Sequence, residues 1–228
     1  MGSSDLSGVC ALVPMRHDSE RVPGKNYRSF CGRPLFHHIL ATLIASRNVD
    51  RIIVDTDSPT IRSQVDEHFP GVEVWERPAH LRDGEVPMTE VLQHDARRLD
   101  HEWLLQTHST NPLLRASTIE RAADALRENP SHDSLFSVTR LQTRLYDAGG
   151  APINHDPNVL LRTQDLPPVY EENSNLYLFP RKLILERGRR IGDRPMLFEV
   201  DPIEATDIDT ESDFVVAEKL CESGVVGA

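Results

Sequence analysis

Three stretches of this 228-residue chain hold side chains whose types and spacing suit chemistry. The first is RHDSERVPGKN, residues 16–26, directly after an apolar run. Pro23-Gly24 fixes a turn, Gly24 lets the backbone approach a phosphate closely, and Arg16 with Lys25 completes an anion cradle. The plainer reading is a solvated loop of paired charges. A Walker A loop is excluded, because it needs Gly in the place of Ser19 and Ser or Thr in the place of Asn26. The G-x-G-x-x-G dinucleotide fingerprint is missing as well.

The second stretch is ATDIDTESDF, residues 205–214. In extended backbone Asp207 and Asp209 share a face, so their carboxylates can grip one hard cation, as Mg²⁺ requires when it also carries substrate phosphates. A capping box of Thr210 and Asp213 explains those two residues and leaves Asp207 over. Glu171-Glu172, side by side, point apart in a strand and are the weaker acidic pair. The third stretch, LLQTHSTNPLL at 104–114, runs a strand into Gln106, His108, Ser109, Thr110 and Asn111. Such residues fall at the carboxyl edge of a parallel sheet, where ligands bind. No nucleophilic triad is arranged here, and the absence of H-E-x-x-H argues against zinc hydrolysis. His37-His38 read as helix-face residues.

Positioning these groups requires alternating elements. Strands are expected at 8–15, 51–56, 72–76, 102–108, 134–139, 174–179 and 196–200. Helices are expected at 34–48, 58–69 (Ser58 cap, Pro59 start), 88–100, 116–129 (Ser117 or Thr118 near the cap), 181–189 and 210–223. The alternation predicts an α/β fold: a mainly parallel twisted sheet with helices on both faces, formed by one domain over 1–228. Between 140 and 172 the periodicity fails, with Gly-Gly and four prolines. A structureless segment of that length is usually functional or held by a partner.

Composition narrows the function. Apolar content of 39% and charged content of 27% are ordinary for a globular chain, and no apolar run is long enough to span a membrane. MGSSDLSG reads as a disordered polar lead-in rather than a leader. A formal charge of −11 argues against nucleic acid and anionic membrane as partners. Yet five of the 25 basic residues (Arg16, Arg21, Lys25, Arg28 and Arg33) fall within 18 positions, which points to one small anionic ligand. Cys10, Cys31 and Cys221 are scattered, so neither a disulfide framework nor a zinc knuckle is expected, and the expected compartment is the reducing cytoplasm. The residues alone suit metal-assisted transfer of a nucleotidyl or glycosyl group.

These blocks resemble the cytidylyltransferases that activate acidic sugars: the acylneuraminate (CMP-sialic acid synthetase) group and, more distantly, the Kdo enzymes. ALVPMRHDSERVPGKN looks like the family's nucleotide loop, and RIIVDTDSPTI, ERPAHL, TNPLL, EENSNLY and DIDTESDFVVAE match further blocks in order from about Val9 to Leu220. The resemblance implies a Rossmann-like nucleotide-diphospho-sugar transferase fold in which 140–172 is an inserted dimerisation arm of a homodimer. It assigns CTP to Arg16, Ser19, Lys25, Asn26 and Arg77, with Arg16, Lys25 and Asp209 in catalysis, and Mg²⁺ to Asp207 and Asp209. It places the acidic sugar on Asn173, Tyr177, either Gln106 or His108, and Arg162 reaching across a dimer interface.

Three positions depart from the sialic-acid pattern. Ser19-Glu20-Arg21 is spelled as in the Kdo enzymes, His108 falls where the family's sugar-binding Gln is counted, and Ser174 replaces the Gly after Asn173. All lie where the acceptor is expected. The implied reaction is CMP transfer from CTP to the anomeric hydroxyl of a sialic-acid-like or other 2-keto-3-deoxy ulosonic acid, releasing pyrophosphate. A cytidylyltransferase for another acidic acceptor such as a phosphonate, a glycosyltransferase using a finished nucleotide-sugar, and a silent nucleotide-binding subunit are the alternatives. The terminal position of the carboxylate pair disfavours the glycosyltransferase.

Overall fold

The computed structural model describes Leu6 and residues 8–225; most of the polar lead-in lies outside them. The chain opens with β1 (Val9–Met15), whose seven residues are all buried. A hairpin of β2 (Ser29–Phe30) and β3 (Arg33–Pro34) turns through Cys31 and Gly32, both at positive φ. Then come α1 (Leu35–Ala45), β4 (Val49–Thr56), α2 (Pro59–His68), β5 (Glu73–Glu76), α3 (Met88–Ala96) and β6 (Trp103–Thr107). The remainder is α4 (Ala116–Glu128), β7 (Ser134–Leu141), β8 (Val169–Pro180), α5 (Arg181–Arg187), β9 (Pro195–Glu199) and α6 (Glu211–Glu222).

Seven strands form one sheet in the order β5-β4-β1-β6-β8-β7-β9. The pairs β5/β4, β4/β1, β1/β6 and β7/β9 are parallel, and only β8 runs against its neighbours. The mainly parallel sheet is therefore as expected. Period-two alternation divides β1 between two apolar layers. Val9, Ala11 and Val13 pack beneath α1, α2 and α4, and Cys10 and Leu12 face α3 and α5. A third cluster joins Val22 and Phe30 to Ile208 and Phe214, tying α6 to the first loop.

Helix starts follow the sequence except at α4. Ser58 accepts from Ile61 N at 3.2 Å with Pro59 in the first turn, and Thr210 and Asp213 form the capping box. Neither Ser117 nor Thr118 caps α4. Arg115 is its N-cap, and the buried carboxylate of Glu204 accepts from Arg115 N at 2.9 Å and from Thr118 Oγ1 at 3.0 Å. A long-range carboxylate thus replaces the local hydroxyl at the helix's positive end. Helices α1 and α3 stop at Ala45 and Ala96, short of the expected 48 and 100.

Two further expectations are corrected. Cys31 and Cys221, 190 residues apart, form a disulfide with Cα atoms 6.6 Å apart, because α6 returns onto the β2–β3 turn; Cys10 is free and buried. Chain spacing could not show that approach. The irregular segment is also shorter than 140–172, since β7 runs to Leu141 and β8 starts at Val169. Between them lie a bridge from Tyr146 to Pro152 and a 3₁₀ turn at Thr163–Asp165. Among the described residues no helix is long and apolar enough to cross a membrane.

Candidate active site

The first loop leaves the carboxyl end of β1 and folds back through a 3₁₀ turn, Lys25–Tyr27. Gly24 enters it at φ 64°, a left-handed conformation that glycine adopts without strain. Lys25 and Asn26 are thereby carried inward and buried. Asn26 donates to Arg16 O at 2.8 Å and accepts from Ser109 Oγ at 2.6 Å, fastening the loop to the edge of β6. The result is a cleft of about 210 Å³ lined by Arg16, Ser19, Arg21, Lys25, Asn26 and His108, among others. Arg16 has no carboxylate within ion-pair distance among the described residues. Gly84 closes over it: a Cβ there would stand 2.8 Å from Arg16 Nη1 and 3.1 Å from Glu20 Oε1.

The carboxylate pair reaches the same place from the other end of the chain. Lys25 Nζ donates to Ile208 O at 2.5 Å, so it sits between Asp207 and Asp209 in sequence. Ile208 N donates to Thr110 O at 2.9 Å, and Asn175 Nδ2 to Glu204 O at 3.0 Å, stitching residues 204–208 to the polar edge. Burial lowers the Lys25 pKa, while Asp209 and Asp207 oppose that shift. Burial raises the Asp207 pKa, against the Thr110 hydroxyl that holds it down. Asp207 Oδ1 is buried without a hydrogen-bond partner, and Asp209 Oδ1 accepts from Arg21 at 2.7 Å near the surface. An orphaned buried carboxylate oxygen beside a second carboxylate fits a hard cation. No group of three or more candidate ligands exists among the described residues, so the remaining ligands would be substrate or water oxygens.

A second cluster adjoins the cleft across His108. Because β8 is antiparallel to β6, Tyr177 pairs directly with Gln106. Arg190, in the turn after α5, stacks over the Tyr177 ring at 3.6 Å and donates to Gln106 Oε1. Arginine can only donate, so it fixes the Gln106 amide with its oxygen toward Arg190; Gln106 Nε2 then donates to His108 Nε2 at 2.6 Å. His108 therefore carries its proton on Nδ1. Burial, Arg190 and Lys25 push the His108 pKa down to about 4, leaving the ring neutral at pH 7. Burial pushes the Tyr177 phenol up to about 12, and it donates to Glu172 Oε1. Gln106 and His108, alternatives in the sequence, are one hydrogen-bonded unit.

Three anticipated residues stand elsewhere. Arg77 is 2% exposed, bonded to Asp55 rather than lining the cleft. Arg162 pairs on the surface with Asp165 at 2.7 Å. Asn173 bonds Thr139 at 3.1 Å and Asn175 N at 3.3 Å, pinning a β8 bulge where Ser174 adopts φ 58°. A serine thus occupies a left-handed position that suits the family's glycine. Sequence reasoning missed Arg190 and Glu204, and it set Glu172 aside as half of the weaker acidic pair. RGRR at 187–190 resembles a solvated helix end, and nothing local separates Arg190 from its neighbours.

With this geometry in view, a family model described as "Cytidylyltransferase" matches residues 10–226. The chain is 28% identical over 232 residues to the CMP-N,N'-diacetyllegionaminic acid synthase of Legionella pneumophila, covering 94% of this chain and 96% of that one. It is 26% identical over 219 residues to N-acylneuraminate cytidylyltransferase A of Danio rerio, covering 92% of this chain and 50% of that protein, so it spans about half the fish protein's length. The fold is similar to a CMP:2-keto-3-deoxy-manno-octonic acid synthetase complexed with CTP, with TM-score 0.72 and 14% identity, covering 95% of this chain and 99% of that one.

Proposed function

The chain belongs to the cytidylyltransferase family, and from that premise we propose that it transfers CMP from CTP to the anomeric hydroxyl of an acidic sugar. The observation that carries this reading is the meeting of Arg16, Lys25 and Asn26 with Asp207 and Asp209, joined through Lys25 Nζ on Ile208 O. The anomeric oxygen bonds to the α-phosphorus as the bond to the β-phosphate oxygen breaks. Pyrophosphate leaves, and the hydroxyl proton passes to solvent. Arg16 and Lys25 lie in the cleft lining, where they stabilise the charge that gathers on the departing phosphates. Asp207 and Asp209 would hold Mg²⁺, which when bound neutralises the triphosphate and acidifies the attacking hydroxyl. Asn26 and Ser109 keep the cradle in register.

The arm supplies the reading of a homodimer: Leu160 is 90% exposed, with Ile153 and Tyr146 also open. A second copy would cover them and bring Arg162 toward the neighbouring acceptor. A CTP-consuming reaction suits the cytoplasm.

The test is CTP-selective, Mg²⁺-dependent pyrophosphate release with a panel of acidic sugars. Asp209→Ala is expected to lower turnover about 10²–10³-fold, the range for losing one electrostatic stabiliser. Near-normal Mg²⁺-dependent turnover in that variant would remove the metal assignment. CTP binding without release for any acceptor would mean a silent subunit.

A further inference from the structure

Arg190 is a guanidinium lifted out of water without a full counter-charge. Its side chain is 20% exposed, and burial lowers its pKa while Tyr177 and Glu172 oppose that shift. Its one hydrogen bond among the described residues goes to the neutral amide of Gln106. Glu172 Oε1 stands 3.8 Å away, beyond hydrogen-bond reach, and already accepts from the Tyr177 phenol. The planar group is nonetheless held firmly, by the Tyr177 face at 3.6 Å and by the Gln106 oxygen. A fixed arginine with donors to spare suits bidentate recognition of a carboxylate.

Its position selects which anion. His108 lines the phosphate cleft and also bonds Gln106, so the Arg190 cluster adjoins that cleft while Arg16 and Lys25 serve the cleft itself. We propose that Arg190 is the carboxylate anchor of the acceptor subsite, stacked on Tyr177, oriented by Gln106, and reached past His108. The acceptor's carboxylate takes the donors that Glu172 approaches without engaging. The chain itself thus contributes a carboxylate site, apart from whatever Arg162 supplies across an interface. This rests on the acceptor being an acidic sugar.

The experiment pairs each acid with its uncharged counterpart: N-acetylneuraminate and 2-keto-3-deoxy-manno-octonate against their C1 methyl esters. Equilibrium binding is measured to the 228-residue protein loaded with CTP in the absence of turnover metal. The wild-type protein is expected to bind at least one acid about 10–100-fold more tightly than its ester, the range for a charge-assisted bidentate contact. Arg190→Gln is expected to lose that preference while its affinity for CTP stays within about twofold; Arg190→Met, which keeps the stem packed on Tyr177, guards against a folding defect. Equal affinity for acid and ester in the wild type, including none for either, overturns the proposal. So does a preference that survives in both variants, one abolished only by Arg162→Gln, or a loss that falls on CTP instead. Absence of pyrophosphate release with every acid would count against the activity proposed above, and the binding comparison judges Arg190 separately.

Discussion

Arg77 and Arg190 both lie largely out of solvent, but their surroundings differ in charge. Arg77 is 2% exposed, with Nε on Asp55 Oδ1 and Nη2 on Asp55 O at 3.2 Å, while Asp95, fully buried, interacts with both. The Asp55 carboxylate pairs the guanidinium directly with Asp95 packed beside them, so the charge of Arg77 is spent inside the fold. Arg190 has an amide, an aromatic face and one carboxylate held off at 3.8 Å. Burial alone therefore does not mark a functional arginine. The useful signal is burial combined with residual charge beside an open cleft.

The largest way to break this contrast is to remove Arg77. Arg77→Met should destabilise the fold by about 3–5 kcal/mol, because breaking a buried pair strands the partner carboxylate. Urea unfolding followed by far-UV circular dichroism measures it. Arg190→Met should cost less, about 1–3 kcal/mol, because it leaves the buried Gln106 Oε1 without its donor but strands no charge. If Arg77→Met folded normally and lost only CTP affinity, the arginine would belong to the nucleotide and the contrast would collapse.

The same trio gives a pH signature that the Arg190 cluster lacks. Neither oxygen of Asp95 has a hydrogen-bond partner, and burial together with Asp55 pushes its pKa up to about 8, against Arg77 and Arg98. The native trio thus keeps a proton that the unfolded chain releases near its ordinary carboxylate pKa. Stability from this group is complete below that unfolded value and is lost as pH rises toward about 8. The limiting slope is about 1.4 kcal/mol per pH unit for one proton. Asp95→Asn, which is uncharged at every pH, should flatten the stability profile between pH 5 and pH 8 and gain most over wild type at the alkaline end. An unchanged slope would show that Asp95 is ionised in the fold.

How far each region could be read from sequence follows from the same contrast. The cradle was legible because Arg16, Ser19, Lys25 and Asn26 lie within eleven residues and one turn at Gly24 sets their geometry. Asp207 and Asp209 could be singled out because period-two backbone would put them on one face. The alternation of strands and helices and the two apolar layers followed from burial periods, as the alternation along β1 shows. The Arg190 cluster draws on β6, β8 and the turn after α5, and it exists only because β8 runs antiparallel and sets Tyr177 against Gln106. No local pattern encodes that pairing. The Arg77–Asp55–Asp95 trio and the Glu204 cap were hidden for the same reason: each charge finds its partner through tertiary packing, and the motif ERPAHL shows the arginine without showing which way it turns.

The smallest expected effect comes from the residue beneath the Arg190 platform. Ser174 holds φ 58° and bonds Tyr177 Oη at 3.0 Å, so it combines backbone strain with a polar contact to the ring that Arg190 covers. A non-glycine residue in the left-handed region costs about 1–2 kcal/mol, and a typical hydrogen bond returns about 0.5–1.5 kcal/mol. Ser174→Gly removes both, leaving a net stabilisation of about 0.5 kcal/mol, or roughly 1–2 °C in midpoint for a chain of this size. Differential scanning calorimetry resolves a shift of that order. The acceptor's acid-over-ester preference should be untouched, because Tyr177 keeps its bond to Glu172 and Arg190 keeps its bond to Gln106. A variant that gained stability but lost the preference would show that the Ser174 hydroxyl, not Gln106, sets the plane of the platform. Orientation of Arg190 would then depend on the β8 bulge, the place where this chain carries serine instead of glycine.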